Sequence, residues 1–195
     1  MKTLSILTTI FVLGLSTVFA QKTWNADASH SNINFTVTHM VISEVDGSFK
    51  EFNATAVTKG EGFENAEISF TAKTASINTA NDQRDEHLRS VDFFDAATYP
   101  EITFKSKSFT KAADGKYTLV GDLSMHGITK EVTLNVVNKG TVKDPWGNER
   151  SGFKLSGTIN RFDYGLKWNM ALEAGGLVVG EEIQINCNIE LVAAK

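Results

Sequence analysis

The side chains best able to do chemistry in this sequence are four histidines and one cysteine. They are His30, His39, His87, His126 and Cys187. The histidine spacings match none of the compact patterns that hold zinc, and the sequence has no Gly-x-Ser-x-Gly nucleophile elbow. The cysteine occupies one of the alternating apolar positions of a predicted strand, as a small buried residue typically does. We therefore expect no catalytic site, no metal and no cofactor; the alternative is a lipid-modifying or metal-dependent enzyme that uses the histidines.

Two arginines in one charged segment are candidates for binding the polar head of a ligand. Arg84 and Arg89 lie five residues apart, and a guanidinium pairs well with phosphate or carboxylate oxygens. The neighbouring carboxylates of Asp85, Asp92 and Asp95 offer the alternative of local ion pairs. Both interpretations of the arginines remain open from the residues alone.

The first twenty residues have the pattern of a signal peptide. Lys2 gives a positive start, an apolar run covers 4–15, and Ala20 offers a cleavage site before a polar sequence. A membrane anchor is the alternative, but the run is short for a bilayer span and no later segment is apolar enough to insert. We predict a signal peptide over residues 1–20, one exported domain over 21–195, and no stable membrane insertion.

The predicted mature chain is mildly acidic. One of the 19 basic residues, Lys2, lies in the signal peptide, so 18 basic residues face 23 acidic ones. This balance argues against nucleic acid and anionic membrane surfaces as partners. With a single cysteine no internal disulfide can form, and the fold must depend on its apolar core.

Alternating apolar and polar residues fill most of the chain. The clearest segment is the last, whose apolar positions are Ile183, Ile185, Cys187, Ile189 and Leu191. About eight such segments follow one another, many separated by hairpin turns. They predict an all-β protein, and an antiparallel eight-stranded barrel fits the pattern. A two-sheet sandwich fits equally well, because alternation shows which face is buried and not which strands are neighbours.

One segment departs from this alternation and has the spacing of a helix. Asn81 is a favourable N-cap and Asp82 suits the first turn, so we predict one short helix over about residues 81–91. A helix of this length is marginal alone in water. We therefore expect Leu88 and Val91 to dock on the barrel, with the helix covering or flanking one end.

Several motifs along the chain resemble those of a known family. They are Trp24-x-x-Asp27-x-x-His30-Ser31, Arg84-Asp85-x-His87-Leu88-Arg89-Ser90-x-Asp92-Phe93-Phe94-Asp95, Tyr99-Pro100, His126-Gly127-Ile128-Thr129-Lys130 and Asn160-Arg161-x-Asp163-Tyr164-Gly165-Leu166. Together they span nearly the whole predicted mature chain and resemble the YceI-like family of exported, lipocalin-like proteins. The resemblance implies a lipocalin-like barrel with an apolar pocket that binds, transports or stores a polyisoprenoid or another amphiphilic lipid. It also implies homodimers and export, either to the periplasm or as a secreted protein.

Ten side chains are predicted to line that pocket. They are Phe35, Val37, Phe70, Leu88, Phe94, Phe104, Leu123, Leu134, Phe153 and Ile159. An apolar channel suits a lipid tail, since burying one methylene contributes about 0.8 kcal/mol. In the alternative these side chains simply fill the barrel, as expected of a protein-binding periplasmic stress module. The resemblance, rather than the pattern, favours the pocket.

Overall fold

Eleven β-strands, one α-helix and two short 3-10 helices make up the part of the chain that the structure describes. The computed structural model describes residues 21–173 and 175–195, so the predicted signal peptide lies outside the described residues. The strands are β1 (Gln21–Ala26), β2 (Asn32–His39), β3 (Ser43–Phe49), β4 (Phe52–Lys59), β5 (Glu67–Lys73), β6 (Ile77–Asn78), β7 (Glu101–Ala113), β8 (Lys116–Met125), β9 (Ile128–Lys143), β10 (Glu149–Asn160) and β11 (Val179–Ala193). The helix α1 spans Asp82–Arg89, and the 3-10 helices span Thr74–Ser76 and Arg161–Tyr164. Within these described ranges no helix has the length and apolar character needed to cross a membrane.

Eight of the strands close into an antiparallel barrel. Hydrogen bonds link them in the order β1–β4–β5–β7–β8–β9–β10–β11, and β11 pairs again with β1. The closing register places Trp24 opposite Ala193. A closed ring has no free edge between its first and last strands. The predicted eight-stranded barrel is therefore confirmed, and the sandwich that the alternation also allowed is not the fold.

The other three strands continue barrel strands beyond a break. β2 follows β1, β3 precedes β4, and β6 follows β5, so each pair forms one interrupted strand of the wall. β2 and β3 form a hairpin, and β2 also pairs with the first half of β11. The break between β3 and β4 falls at Lys50 and Glu51. Phe49 and Phe52 are three residues apart, a spacing that would put them on opposite faces of one strand, and the break places them in different strands.

One end of the barrel is closed by a loop that folds inward. The loop between β4 and β5 places Phe63 inside the barrel, with its ring centroid 4.9 Å from that of Trp24 and 4.8 Å from that of Phe153. All three rings are buried. The Asn65 N–H donates to the carbonyl of Phe109 at 2.8 Å and holds the loop in place. Close aromatic pairs stabilise beyond the area that they bury, so this closed end has a packed aromatic core.

The helix α1 begins as predicted and ends two residues earlier. The Asn81 side chain accepts a hydrogen bond from the Arg84 N–H at 2.9 Å, as an N-cap does. The helix ends at Arg89 because Ser90 has extended backbone, with φ −71° and ψ 174°. Val91 therefore lies beyond the helix and is 78% exposed. The prediction that Val91 docks on the barrel is wrong.

Two residues of α1 anchor the helix to the rest of the protein: Leu88 and a buried aspartate. Leu88 is half-buried and packs against the core, as predicted. Asp85, which the sequence offered as an ion-pair partner for the arginines, is buried instead. Its Oδ1 accepts hydrogen bonds from the Thr79 N–H at 2.8 Å and from the Thr79 hydroxyl at 2.5 Å. A carboxylate can be buried when hydrogen-bond donors satisfy it, and Thr79 supplies two.

Candidate functional site

An apolar cavity of about 620 Å³ occupies the inside of the barrel. This volume lies in the range of about 300–1,000 Å³ that ligand sites occupy, and an eight-stranded barrel is wide enough to hold one small ligand. All ten side chains predicted for the pocket line this cavity. The barrel interior is thus a cavity and not a filled core, and contact of these residues with a ligand stays a prediction.

Three glycines in the barrel wall let large cavity-lining side chains pack directly against the backbone. Each lies opposite a large side chain that rests directly on the bare backbone: Gly47 opposite Phe35, Gly121 opposite Phe104, and Gly157 opposite Leu134. A β-carbon at these glycines would lie only 2.2, 2.4 and 2.5 Å from the facing side chain, in that order. Glycine inside a strand commonly marks such a close approach. Without these glycines the facing side chains would have to move off the wall.

The cavity opens between the end of β2 and the helix α1. Among the described residues that line it, four are exposed: Thr38, Asn81, Gln83 and Arg84. All four lie at this end of the barrel, and the lining residues near Phe63 at the other end are buried or half-buried. We call the region around these four residues the mouth.

Aromatic rings stand beside the mouth on α1 and on the segment after β10. The ring of His87 lies 5.0 Å from that of Phe93 and 4.9 Å from that of Trp168, edge to face in both cases. His87 Nε2 lies 3.0 Å from Asp92 Oδ2, which fixes the orientation of the imidazole. His87 and both of its aromatic neighbours line the cavity. These contacts join the helix to the opposite side of the barrel entrance.

The two arginines predicted for a head group are placed differently. Arg84 lines the cavity, donating from Nε to the Thr79 hydroxyl at 2.7 Å and from Nη2 to the Thr79 carbonyl at 2.8 Å. Arg89 does not line it. Its Nε and Nη2 donate to the carbonyls of Ala75 and Ile77 at 2.8 and 2.9 Å. Backbone carbonyls outside the cavity accept from two of the Arg89 nitrogens, and contact of either arginine with a head group stays a prediction.

The alternative of ion pairs for these arginines is not observed either. Within the described residues, neither Arg84 nor Arg89 forms a salt bridge with Asp85 or Asp92. The nearby carboxylates are used elsewhere: Asp85 binds Thr79, and Asp92 contacts the imidazole of the helix. Both arginines instead join the helical segment to the backbone before it.

Arg161 is a buried cation that the site predictions did not include. It lines the cavity and is 3% exposed. Four backbone carbonyls accept its hydrogen bonds, those of Gly180, Leu166, Trp168 and Val179. Burial lowers the pKa of its guanidinium, although arginine stays charged at any physiological pH. The only sequence signal for it was its place in the Asn160-Arg161 motif.

A family model described as a YceI-like domain matches residues 24–191, which covers the barrel almost from end to end. The chain belongs to the YceI-like family. This YceI-like chain is also 38% identical to the UPF0312 protein SAB2563 of Staphylococcus aureus (strain bovine RF122 / ET3-1). That likeness extends over 165 residues, covering 84% of this chain and 94% of the relative.

Two solved structures have a fold similar to this YceI-like chain. A YCEI protein from Campylobacter jejuni is 31% identical, with a TM-score of 0.68 over 81% of this chain and 90% of that one. A polyisoprenoid binding domain from Saccharophagus degradans is 20% identical, with a TM-score of 0.61 over 90% and 99% of the two chains. The second likeness is one of fold alone.

The four histidines of this YceI-like protein are spread over different parts of the barrel. His39 and His87 line the cavity near the mouth. His126 contacts a backbone carbonyl at 3.1 Å, from the turn between β8 and β9. His30 lies outside the cavity, with Nδ1 3.0 Å from Asp27 Oδ2. The fold does not gather the four into one site.

One group of potential metal ligands lies on the outside of the barrel. The ligand atoms of Asp27, His30 and Glu190 lie within 4.8 Å of one another. Arg150 is inserted into this group: its Nη1 donates to Asp27 at 2.8 Å and to Glu190, and its Nε donates to Asp144 at 2.8 Å. A guanidinium satisfies carboxylates well. The arrangement is an ion-pair network around one arginine.

Cys187 lies on the cavity wall and is 6% exposed. Burial raises the pKa of its thiol to about 11. The thiolate is the reactive form of cysteine, so we expect this residue to react slowly at neutral pH. Its placement fits the small buried residue that the strand pattern predicted.

Proposed function

We propose that this YceI-like protein binds one long-chain amphiphile of the isoprenoid class, with the tail inside the barrel. The observation that carries the proposal is the apolar cavity of about 620 Å³ with its mouth beside α1. Each buried methylene of a tail contributes about 0.8 kcal/mol, so several isoprene units gain affinity with few polar contacts. The likeness in fold to the polyisoprenoid binding domain from Saccharophagus degradans supports this ligand class.

The head group of the ligand lies at the mouth in this proposal and carries oxygens that accept hydrogen bonds. No aspartate or glutamate among the described residues lines the cavity, whereas Arg84 and Arg161 do. Arg161 is satisfied by carbonyls, so no hydrogen-bonded carboxylate cancels its charge. Arg84 uses Nε and Nη2 on Thr79, and its Nη1 points to no described acceptor. A carboxylate, phosphate or carbonyl oxygen suits this environment, and a cationic head group does not.

The proposed role is transport or storage of the ligand and not catalysis. The polar groups near the mouth are engaged in holding the loops and the helix, as Asp85 and Thr79 illustrate. The signal-peptide pattern of residues 1–20 and membership of the YceI-like family support export to the periplasm. Homodimer formation is a separate prediction, which light scattering of the purified protein tests.

Mass spectrometry of an organic extract from freshly purified protein tests the ligand class. We expect about one long-chain lipid per barrel. In the variant Val37→Glu a carboxylate on the cavity wall would meet the tail, and we expect that variant to be purified without lipid. Val142→Glu is the matched control, because Val142 lies on β9 and is 66% exposed. Circular dichroism shows whether both variants fold. A parent protein that carries no lipid and ignores added polyprenols and fatty amides would refute the proposal.

A further inference from the structure

An apolar surface lies next to the mouth, on the turn between β2 and β3 and on the segment before β11. Four large apolar side chains form it: Met40, Val41, Ile42 and Met170, which are 42%, 65%, 86% and 60% exposed. Backbone hydrogen bonds join the two segments, since the Met40 N–H donates to the Val178 carbonyl at 2.9 Å and the Val178 N–H donates to the Met170 carbonyl at 3.0 Å. We call these four residues the apolar tip.

The turn that carries the tip has an unfavourable backbone for its residues. Met40 and Val41 have φ of 51° and 68°, and the Ile42 N–H donates to the His39 carbonyl at 3.2 Å. A hairpin turn with two positive φ angles ordinarily contains Asn-Gly or Asp-Gly, and a β-branched residue there is strained. The chain thus presents large apolar side chains to solvent from a strained turn. Such strain is found where a function requires it.

The apolar tip is continuous with the mouth of the cavity. His39 and Thr38, which immediately precede Met40, both line the cavity. Val178, which binds the backbone of both segments of the tip, lines it as well. The apolar tip therefore lies directly beside the entrance to the cavity.

We propose that the apolar tip inserts into the surface of a lipid bilayer, so that the ligand passes directly between the bilayer and the barrel. This inference rests on the proposed function, since it names the source of the ligand. A stable protein complex takes about 20–30 residues from each partner, and the tip has four. Shallow insertion of a few apolar side chains is sufficient for transient contact with a membrane interface. The nearest charges in sequence, Glu44, Lys167 and Glu173, give no basic patch, so the contact requires no anionic lipid.

Transfer of a fluorescent polyprenol analogue from phosphatidylcholine vesicles to the protein tests the inference. We expect the transfer rate to rise with vesicle concentration, as contact with the bilayer requires. The double variant Val41→Asn, Ile42→Ser keeps a residue suited to the positive φ and removes the two most exposed apolar side chains of the tip. It should transfer at least tenfold more slowly, with equilibrium affinity within twofold of the parent. Trp146→Ser is the matched control, since Trp146 is 79% exposed in the loop between β9 and β10 at the opposite end.

Vesicle flotation of the unloaded protein and light scattering separate the outcomes. If parent and double variant bind the analogue and transfer it at one rate independent of vesicle concentration, the tip inference is overturned and ligand binding stands. If neither the parent nor any variant binds the analogue, the proposed function is refuted. Vesicle flotation then tests membrane insertion of the apolar tip by itself. Flotation of the parent but not of the double variant supports insertion, and flotation of neither overturns it. A dimer that the double variant dissociates would also overturn it, because the tip would then bind a second copy.

Discussion

The two ends of the barrel are built from different interactions. At the closed end, Trp24, Phe63 and Phe153 pack ring against ring with centroids 4.8–4.9 Å apart. At the mouth, the ring contacts of His87 with Phe93 and Trp168 are accompanied by hydrogen bonds that position polar side chains, as where Thr79 donates twice to Asp85. Apolar burial is the dominant stabilising term in folding, whereas a hydrogen bond contributes only about 1 kcal/mol net and fixes direction. We therefore expect the closed end to contribute more to stability than the mouth, and the mouth to give the ligand access to the cavity.

The largest effect is expected from removing a ring at the closed end. Phe63→Ala deletes a side chain that is 4% exposed, and such changes cost about 3–5 kcal/mol of unfolding free energy. Phe35→Ala is the matched change on the cavity wall, where the ring is half-buried. We expect Phe35→Ala to lower the free energy of unfolding by less than Phe63→Ala does, and to weaken binding of the amphiphile by more. Urea unfolding of both variants measures the difference, and equal losses of stability would contradict the division between the ends.

A smaller effect is expected from the buried carboxylate at the mouth. Asp85→Ala leaves the buried Thr79 N–H without its acceptor, which costs about 1–3 kcal/mol. Amide exchange should accelerate in the helix and leave the barrel strands protected. Asp82→Ala is the control, because Asp82 is exposed in the first turn and loses only about 0.3–1 kcal/mol of dipole interaction. Loss of protection throughout the barrel in Asp85→Ala would show that the ends are not independent.

The strands of the barrel wall were predictable because apolar and polar residues alternate within each strand. Inward positions such as Leu123 and Ile159 follow from alternation, and in a closed barrel the inward phase faces the cavity. The break near Lys50 was visible as two aromatic residues out of phase. Closure was not predictable, because the pairing of Trp24 with Ala193 joins the two ends of the domain. Alternation shows the buried face of a strand and not its neighbour.

The mouth was less predictable because its polar side chains bind backbone groups. Arg89 and Arg161 bind carbonyls that the fold brings to them, whereas the sequence shows only which carboxylates lie nearby. Val91, which was expected to dock, is exposed because the helix ends before it, and Asp85 is buried because Thr79 supplies its donors. Hydrogen bonds from side chains to the backbone cannot be recognised in a sequence, whereas the burial of apolar residues can.

Acid should weaken an ion-pair network on the outside of the closed end. Hydrogen bonds from Ser29, Arg150 and His30 hold the pKa of Asp27 well below its ordinary value, and Arg150 does the same to the pKa of Asp144. Lowered folded-state pKa values mean that this stabilisation is present above the unfolded pKa of about 4 and is lost as the pH falls through the folded values. Arg150→Gln should therefore lower the thermal midpoint at pH 7, and its difference from the parent should shrink below about pH 4. A difference that stays constant from pH 7 to pH 2 would contradict this account.

The alkylation rates of single cysteines compare access to the cavity with access to the closed end, and they require the smallest change to the protein. Cys187 lines the cavity and has a thiol pKa of about 11, so about one thiol in a thousand is ionised at pH 8. We expect slow alkylation that accelerates about tenfold per pH unit below that pKa and is blocked by a bound amphiphile. In a Cys187→Ser background, Ser151→Cys places a thiol at the closed end, at a position 1% exposed that does not line the cavity. This thiol should react more slowly still and gain no protection from the amphiphile, because a reagent reaches it only when the barrel opens. Equal rates at both positions would mean that the closed end opens as readily as the mouth, and the comparison between them would fail.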